Sequence, residues 1–200
     1  MDHLRFSGLA PNAQRDALEH IVCADPLVWG ALEIARDLDL PDWLIVSGAI
    51  YNSVWNHLIN RPSGHGIKDI DLFYFDARDL SYDAEDTVIQ RGAEAFAALP
   101  IPVEIRNQAR VHLWYRQRFG RDCPVYENSS QPLSRFASKT HAVGLRLMPD
   151  DRLTIISPFG LNDLFSFRIT PNRAMVNKET HEEKGLRAKK NWPEVEVVPW

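Results

Sequence analysis

Asp69 and Asp71 stand one residue apart in the segment Asp-Ile-Asp-Leu-Phe-Tyr-Phe (69–75), which reads as a strand. Residues two apart on a strand project to one face, so the two carboxylates stand together and repel unless a cation lies between them. Hard oxygen ligands in this number suit Mg²⁺, or Mn²⁺ in its place. Such an ion takes one or two carboxylates and keeps sites for water and phosphate. Glu104 lies in the next strand-like segment, between Val103 and Ile105, with a helix separating it from the Asp pair. With the two strands as neighbours, three carboxylates can hold two metal ions and activate a hydroxyl for in-line attack on phosphorus. Ser47-Gly48 supplies the other half, between a strand and a helix. Glycine lets a backbone approach a phosphate closely, the helix N-terminus offers N–H groups, and Ser47 adds a hydroxyl. No Gly-x-x-x-x-Gly-Lys-Ser/Thr loop is present.

Each feature alone has a plain structural explanation. An Asp-x-Asp can be a strand-end pair, a Ser-Gly a turn, and Glu104 a solvated strand residue. Together, order, element type and spacing fit one chemistry. Two further cations are candidates for holding phosphate or acceptor. Arg110 follows the Glu104 strand and falls in the first turn of a helix if Asn107 caps it. Lys190 forms a basic pair with Lys189 beside Trp192, and such a group can grip phosphate and stack on a base. The alternatives are a surface ion pair for Arg110 and a basic helix end for Lys190.

The positioning elements follow from periodicity. Residues 13–24 and 26–39 read as two helices, the second capped at Asp25-Pro26. Trp43–Val46 is a short buried strand, and a helix with Ile50, Val54 and Leu58 in line follows Ser47-Gly48. Residues 60–68 form a loop rich in Pro and Gly, 69–75 a strand, 84–98 a helix, 102–106 a strand and 108–119 a helix. Residues 120–135 look irregular. Residues 143–147 and 153–156 form a hairpin about Pro149-Asp150-Asp151, then come a short helix at 160–168 and a basic one at 176–190. The expected fold class is α+β (α/β), a mixed sheet flanked by helices with N- and C-terminal helical additions.

At 200 residues the chain matches roughly one domain of about 100–200 residues. The expected unit is a single domain over 1–200, with a catalytic core near 43–106, a helical flank over 1–42, and a hairpin and helices over 107–200. Its 44% apolar and 25% charged residues exclude a disordered tail or a fibre. Cys23 and Cys123 lie far apart and in unlike contexts, which excludes a disulfide scaffold and zinc-finger spacing. The start Met-Asp-His-Leu-Arg lacks the pattern of a signal peptide, and no run is long enough to span a membrane. The expected location is therefore cytoplasmic. Net charge is −4, yet residues 173–190 hold six bases against three acids, a local patch able to hold an anion.

The residues Ser47-Gly48, then the Asp pair on a strand, then a carboxylate on a later strand resemble the signature of the polymerase-β-like nucleotidyltransferase superfamily. The segments SGAIYNSVWN (47–56), KDIDLFYFD (68–76), VEIRNQARVHLWY (103–115), AVGLRL (142–147), SPFGLNDLF (157–165) and KKNWP (189–193) resemble more closely a small bacterial nucleotidyltransferase-like family within it. The resemblance implies a nucleotidyltransferase fold and transfer of a nucleoside monophosphate from an NTP to an acceptor hydroxyl, with pyrophosphate leaving. It implies metal at Asp69 and Asp71, Glu104 as third carboxylate, Ser47 and Gly48 on the triphosphate, and Lys190 near the site. The acceptor is expected to be a small molecule or a protein. Net charge weighs against nucleic acid, while the 173–190 patch keeps an RNA- or tRNA-adding activity open. A catalytically silent nucleotide-binding module is the other alternative. Two departures stand out: the order Ser-Gly reverses the usual Gly-Ser, and an extra loop at Arg61–Gly66 lengthens the gap to Asp69 and is expected to be a flap. Four of the six tryptophans (Trp43, Trp55, Trp114, Trp192) lie in or beside these segments and read as walls around a site.

Overall fold

The chain opens with two amphipathic helices, α1 (Pro11–Ala24) and α2 (Pro26–Asp37), in a computed structural model that describes residues 2–200. Asp25 sets their junction. Its Oδ1 accepts from the N–H groups of Leu27 at 3.0 Å and Val28 at 3.2 Å, and Pro26 takes the first helical position, where no N–H is needed. Leu18, Ile21 and Val22 of α1 and Val28, Ala31, Leu32 and Ala35 of α2 are buried as two facing stripes.

Five strands form the central sheet: β1 (Leu44–Val46), β2 (Ile70–Tyr74), β3 (Val103–Asn107), β4 (Gly144–Leu147) and β5 (Leu153–Ile156), in the order β3-β2-β1-β4-β5. Strand β1 lies antiparallel to both β2 and β4, and β4–β5 is the expected hairpin. Strands β2 and β3 are parallel, joined by the crossover helix α4 (Tyr82–Ala95), while α3 (Gly48–Leu58) leaves directly from β1.

The two faces of the sheet differ. Ile45, Ile70, Leu72, Ile105 and Leu145 pack with α1, α2 and α3 in the main core. The other face carries Leu44, Val46 and Phe73, covered by Leu133, Phe136 and Ala142 from the segment before β4. Alternation along β2 and β3 puts Asp71 and Glu104 on this second face. The helices therefore support the sheet from behind and leave its acidic edge in front.

The remaining elements are α5 (Val111–Phe119), α6 (Asn162–Phe165), β6 (Arg168–Ile169), α7 (Lys178–Asn191) and β7 (Glu196–Val197), with β6 and β7 parallel in a separate small sheet. Helix α7 is fixed at two points. A Cβ on Gly185 would come within 2.7 Å of Val197, so only glycine lets α7 lie this close to β7. At its end, Trp192 Nε1 donates to Asn56 Oδ1 at 2.8 Å, and the Trp192 ring meets Trp55 edge-on at 5.4 Å. Trp55 Nε1 in turn donates to the Leu164 carbonyl at 2.9 Å. These bonds tie α7 to α3 and α6.

Several expectations are corrected by these details. Trp43, Trp55 and Trp192 are buried core, not walls of an open site. The Arg61–Gly66 loop is no flap: Ser63 Oγ donates to Asp25 Oδ1 at 2.7 Å and Asn56 Nδ2 to the His65 carbonyl at 2.9 Å. Gly66, at φ +69°, passes beneath Trp192 so closely that a Cβ would meet the ring at 2.5 Å. Helix α5 starts at Val111, later than expected, because Asn107 stays in β3 and its Oδ1 accepts from Ala109 N at 3.1 Å. The irregular stretch contains a 3₁₀ turn at Gln131–Arg135. No helix among the described residues is long and apolar enough to cross a membrane.

Candidate active site

The end of β1 and the beginnings of β2 and β3 meet at one edge of the sheet. Asp71 is paired in register with Val46 on one side and Glu104 on the other. The row Val46–Asp71–Glu104 thus runs across three strands, with Ser47 immediately beyond Val46. Asp69 stands one residue before β2, close enough to Asp71 for the two charges to oppose each other. The structure brings Ser47, Gly48, Asp69, Asp71 and Glu104 to one place.

Ser47 explains the reversed Ser-Gly order. Its backbone sits at φ 60°, ψ −114°, a conformation that glycine adopts freely and L-residues adopt under strain. The turn is held by Ser47 N donating to the Val143 carbonyl at 2.8 Å and by the Ser47 carbonyl accepting from Ile50 and Tyr51. Serine thus occupies the position where the superfamily commonly has glycine. Ser47→Gly is expected to stabilise the fold by about 1 kcal/mol, since relief of roughly 1–3 kcal/mol of strain is partly offset by glycine's entropy. Thermal unfolding checks this, and an unchanged or lower midpoint contradicts the strain.

Helix α3 opens at Gly48, whose N–H and that of Ala49 belong to the first turn and have no helical carbonyl to bond. A Cβ on Gly48 would meet only Asn52 Nδ2, at 3.9 Å, so the space over this turn is open.

The charges around the row are arranged unevenly. Burial pushes the Asp71 carboxyl up to about 6, and Asp69 and Glu104 push the same way, while Lys184 and Arg106 pull it down. Lys68 Nζ lies 3.1 Å from Asp69 Oδ2, and an Arg106 guanidinium nitrogen lies 3.5 Å from Glu104 Oε2. Lys184 of α7 faces Asp71 and Asp69, and burial holds its ammonium below the usual lysine range. Arg187, three residues on, stands beside the Tyr51 hydroxyl, which burial pushes up to about 12. Behind Tyr51, His141 stacks on its ring at 4.6 Å. His141 is buried, both its ring nitrogens lack a partner among the described residues, and burial beside Lys184 holds it neutral, well below the usual histidine range.

Two expected site residues are not brought here. Arg110 lies beyond the far end of β3 and is buried against Glu85 in an ion pair, with its Nε donating to the Leu80 carbonyl at 2.8 Å. Glu85 also accepts from Asn107 N at 2.8 Å, so Arg110 locks α4 to the end of β3 and has no donor directed at the Asp pair. Lys190 is exposed near the end of α7 and is absent from the charges that act on Asp71. Of the α7 cations, Lys184 faces the carboxylates, and Arg187 stands next to it at the Tyr51 hydroxyl. They share the basic 176–190 segment, but bases occur around the whole helix, so periodicity could not single out a face.

The three-carboxylate cage expected from the sequence is open. Among the described residues no group of three or more His, Cys, Asp or Glu side chains closes around a point that could hold a metal ion. The residues still fit Mg²⁺, which needs one or two carboxylates and completes its shell with water and phosphate. Asp69 and Asp71 form such a pair, part-buried and mutually repelling.

Comparison with known proteins bears on the family and the fold. A family model described as nucleotidyltransferase matches residues 33–197. Among solved structures, the chain is similar to one described as "The NMR structure of the protein reveals a CCA-adding enzyme head domain". The two share 25% identity at a TM-score of 0.73, over 91% of this chain and 96% of that one. No curated protein matches.

Proposed function

The chain belongs to a nucleotidyltransferase family, and from that premise we propose that it transfers a nucleoside monophosphate from an NTP to an acceptor hydroxyl with release of pyrophosphate. The observation that carries this reading is the row Ser47–Val46–Asp71–Glu104, with Lys184 facing it and Arg187 next to Lys184 at Tyr51. Phosphoryl transfer places attacking and leaving oxygens roughly in line and depends mainly on positioning and charge neutralisation. The row offers that line. The N–H groups of Gly48 and Ala49 and the Ser47 hydroxyl hold the β- and γ-phosphates at one end. Lys184 and Arg187 balance the charge of the leaving pyrophosphate.

At the other end Glu104 orients the acceptor hydroxyl and takes its proton as the oxygen bonds to the α-phosphorus and the bond to the β-phosphate oxygen breaks. Asp69 and Asp71 would hold Mg²⁺, which supplies neutralisation of the phosphate oxygens.

Gly48→Ala separates the phosphate role from folding. The new methyl meets nothing within ordinary contact except Asn52 at 3.9 Å, and alanine favours a helix by up to about 1 kcal/mol over glycine. The variant is expected to melt no lower than wild type while losing NTP affinity, because the methyl fills the space over the turn. Retained affinity would place the phosphates elsewhere.

A small-molecule or protein acceptor remains the preferred class. The likeness to a CCA-adding enzyme head domain favours RNA as a second reading. Against it, Lys184 turns towards the carboxylates and Lys189 Nζ donates to the Val195 carbonyl at 2.8 Å, which takes these two of the six bases in the 173–190 patch away from an RNA backbone. Pyrophosphate release should be assayed with an NTP panel against small hydroxyl compounds, proteins and RNA. Release with a small-molecule or protein acceptor only is the expected result. Release with RNA, falling steeply with salt, would establish the second reading. Nucleotide binding without release for any acceptor would indicate a silent binding module.

A further inference from the structure

A cavity of about 180 Å³ opens on the same face of the sheet as Asp71 and Glu104, one step further along the strands. Its walls include Phe73, Arg106, Trp114, Tyr115, Tyr126 and Arg135. Phe73 and Arg106 are paired in register, each two residues on from Asp71 and Glu104, so the cavity begins roughly 7 Å from the carboxylate row. Arg106 belongs to both places, lining the cavity while its guanidinium lies 3.5 Å from Glu104. The volume is below the roughly 300–1,000 Å³ of pockets that enclose a whole drug-sized ligand. It has room for one ring system of a ligand whose remainder lies outside.

We propose that this cavity takes the nucleobase of the NTP donor. The inference rests on the nucleotidyl-transfer reading and adds to it the place where the nucleoside lies. The direction follows from in-line geometry. Pyrophosphate and acceptor occupy opposite ends of the row across the strands, so the nucleoside branch of the α-phosphate must leave that line. Towards the start of β2 and β3 the sheet ends. Towards their ends it meets five aromatic side chains and two arginines. Flat π-faces stack on any base, and guanidinium groups donate to ring nitrogens and carbonyl oxygens. An acceptor, by contrast, approaches from the Glu104 end of the row.

The test compares ligands with and without a base. Each Mg²⁺–NTP and Mg²⁺–tripolyphosphate is titrated calorimetrically into the wild type, Trp114→Ala and Arg135→Ala. Wild type should bind at least one NTP more tightly than tripolyphosphate. Trp114→Ala should weaken that NTP about tenfold or more, by loss of stacking, and leave tripolyphosphate unchanged. Arg135→Ala should show the same split, and decides the matter if Trp114→Ala does not fold. The proposal is overturned if the NTP binds no better than tripolyphosphate, if both ligands weaken alike, or if NTP affinity is unchanged in the variants. In that last case a raised KM for the acceptor would give the cavity to the acceptor. If the wild type binds neither ligand, the nucleotidyl-transfer reading itself has failed and the proposal goes with it.

Discussion

Asp71→Asn should melt several degrees above the wild-type protein in metal-free buffer near neutral pH, and should lose at least about 10²–10³-fold in nucleotidyl transfer. Both effects have one cause. The Asp71 carboxyl ionises at about 6 in the fold, against 3.8 ordinarily, because it is buried beside Asp69 and Glu104. A raised carboxyl pKa means that the folded state holds the proton more tightly than the unfolded one. Well below pH 3.8 both states are protonated and no cost arises. As pH rises from 3.8 to about 6 the unfolded chain gives up this proton while the fold retains it, so stability falls, and above about 6 the cost stands at its full size. The rise from 3.8 to about 6 corresponds to an upper figure of about 3 kcal/mol, so a gain of about 1–3 kcal/mol is expected for the neutral amide. Melts near pH 4 and near neutral pH check the sign, since the gain should shrink to a small part of its size at the lower value. Added Mg²⁺ should stabilise the wild type and not the variant. A variant less stable at both pH values would make Asp71 a structural residue.

Arg110→Ala should destabilise the protein by about 3–5 kcal/mol, since it leaves Glu85 buried without its cation. The pair is enclosed: Glu85 is 7% and Arg110 8% exposed. Each partner also carries a backbone bond, to Asn107 N and the Leu80 carbonyl. Replacing both partners, as in Glu85→Leu with Arg110→Met, should recover much of the loss, because the desolvation cost goes with the charges. Urea unfolding midpoints measure both variants. Under conditions where Arg110→Ala remains folded, its NTP affinity should equal that of wild type. A variant of normal stability with weakened NTP binding would restore Arg110 to the site.

The elements around the acidic edge were legible because each is fixed locally. The Asp25-Pro26 cap, the apolar run of β1 and the alternation in β2 name their own structures, and the parallel β2-α4-β3 unit then pairs Asp71 with Glu104. The cations were not legible. Arg110 is near Glu104 in sequence, but the chain reaches it only after running the length of β3, and burial then selects Glu85 as its partner. Lys184 and Arg187 are more than 110 residues from the Asp pair. Lys184 reaches it, and Arg187 reaches Tyr51 beside it, only because Gly185 lets α7 press on β7 and Trp192 anchors the helix to Asn56. Periodicity describes one element at a time and cannot report such long-range docking. The strain at Ser47 was visible only as an odd residue order, which became intelligible once its φ of 60° was known.

The most direct test is calorimetric titration of each of the four NTPs into the wild type and into a variant carrying Asp69→Asn with Asp71→Asn, with and without Mg²⁺. Wild type should bind at least one NTP in a Mg²⁺-dependent way, and the doubly substituted protein should lose that dependence while remaining folded. Absence of metal-dependent binding of any NTP to the wild type, or its survival without the two carboxylates, would contradict the assignment of this edge of the sheet as the nucleotidyl-transfer site.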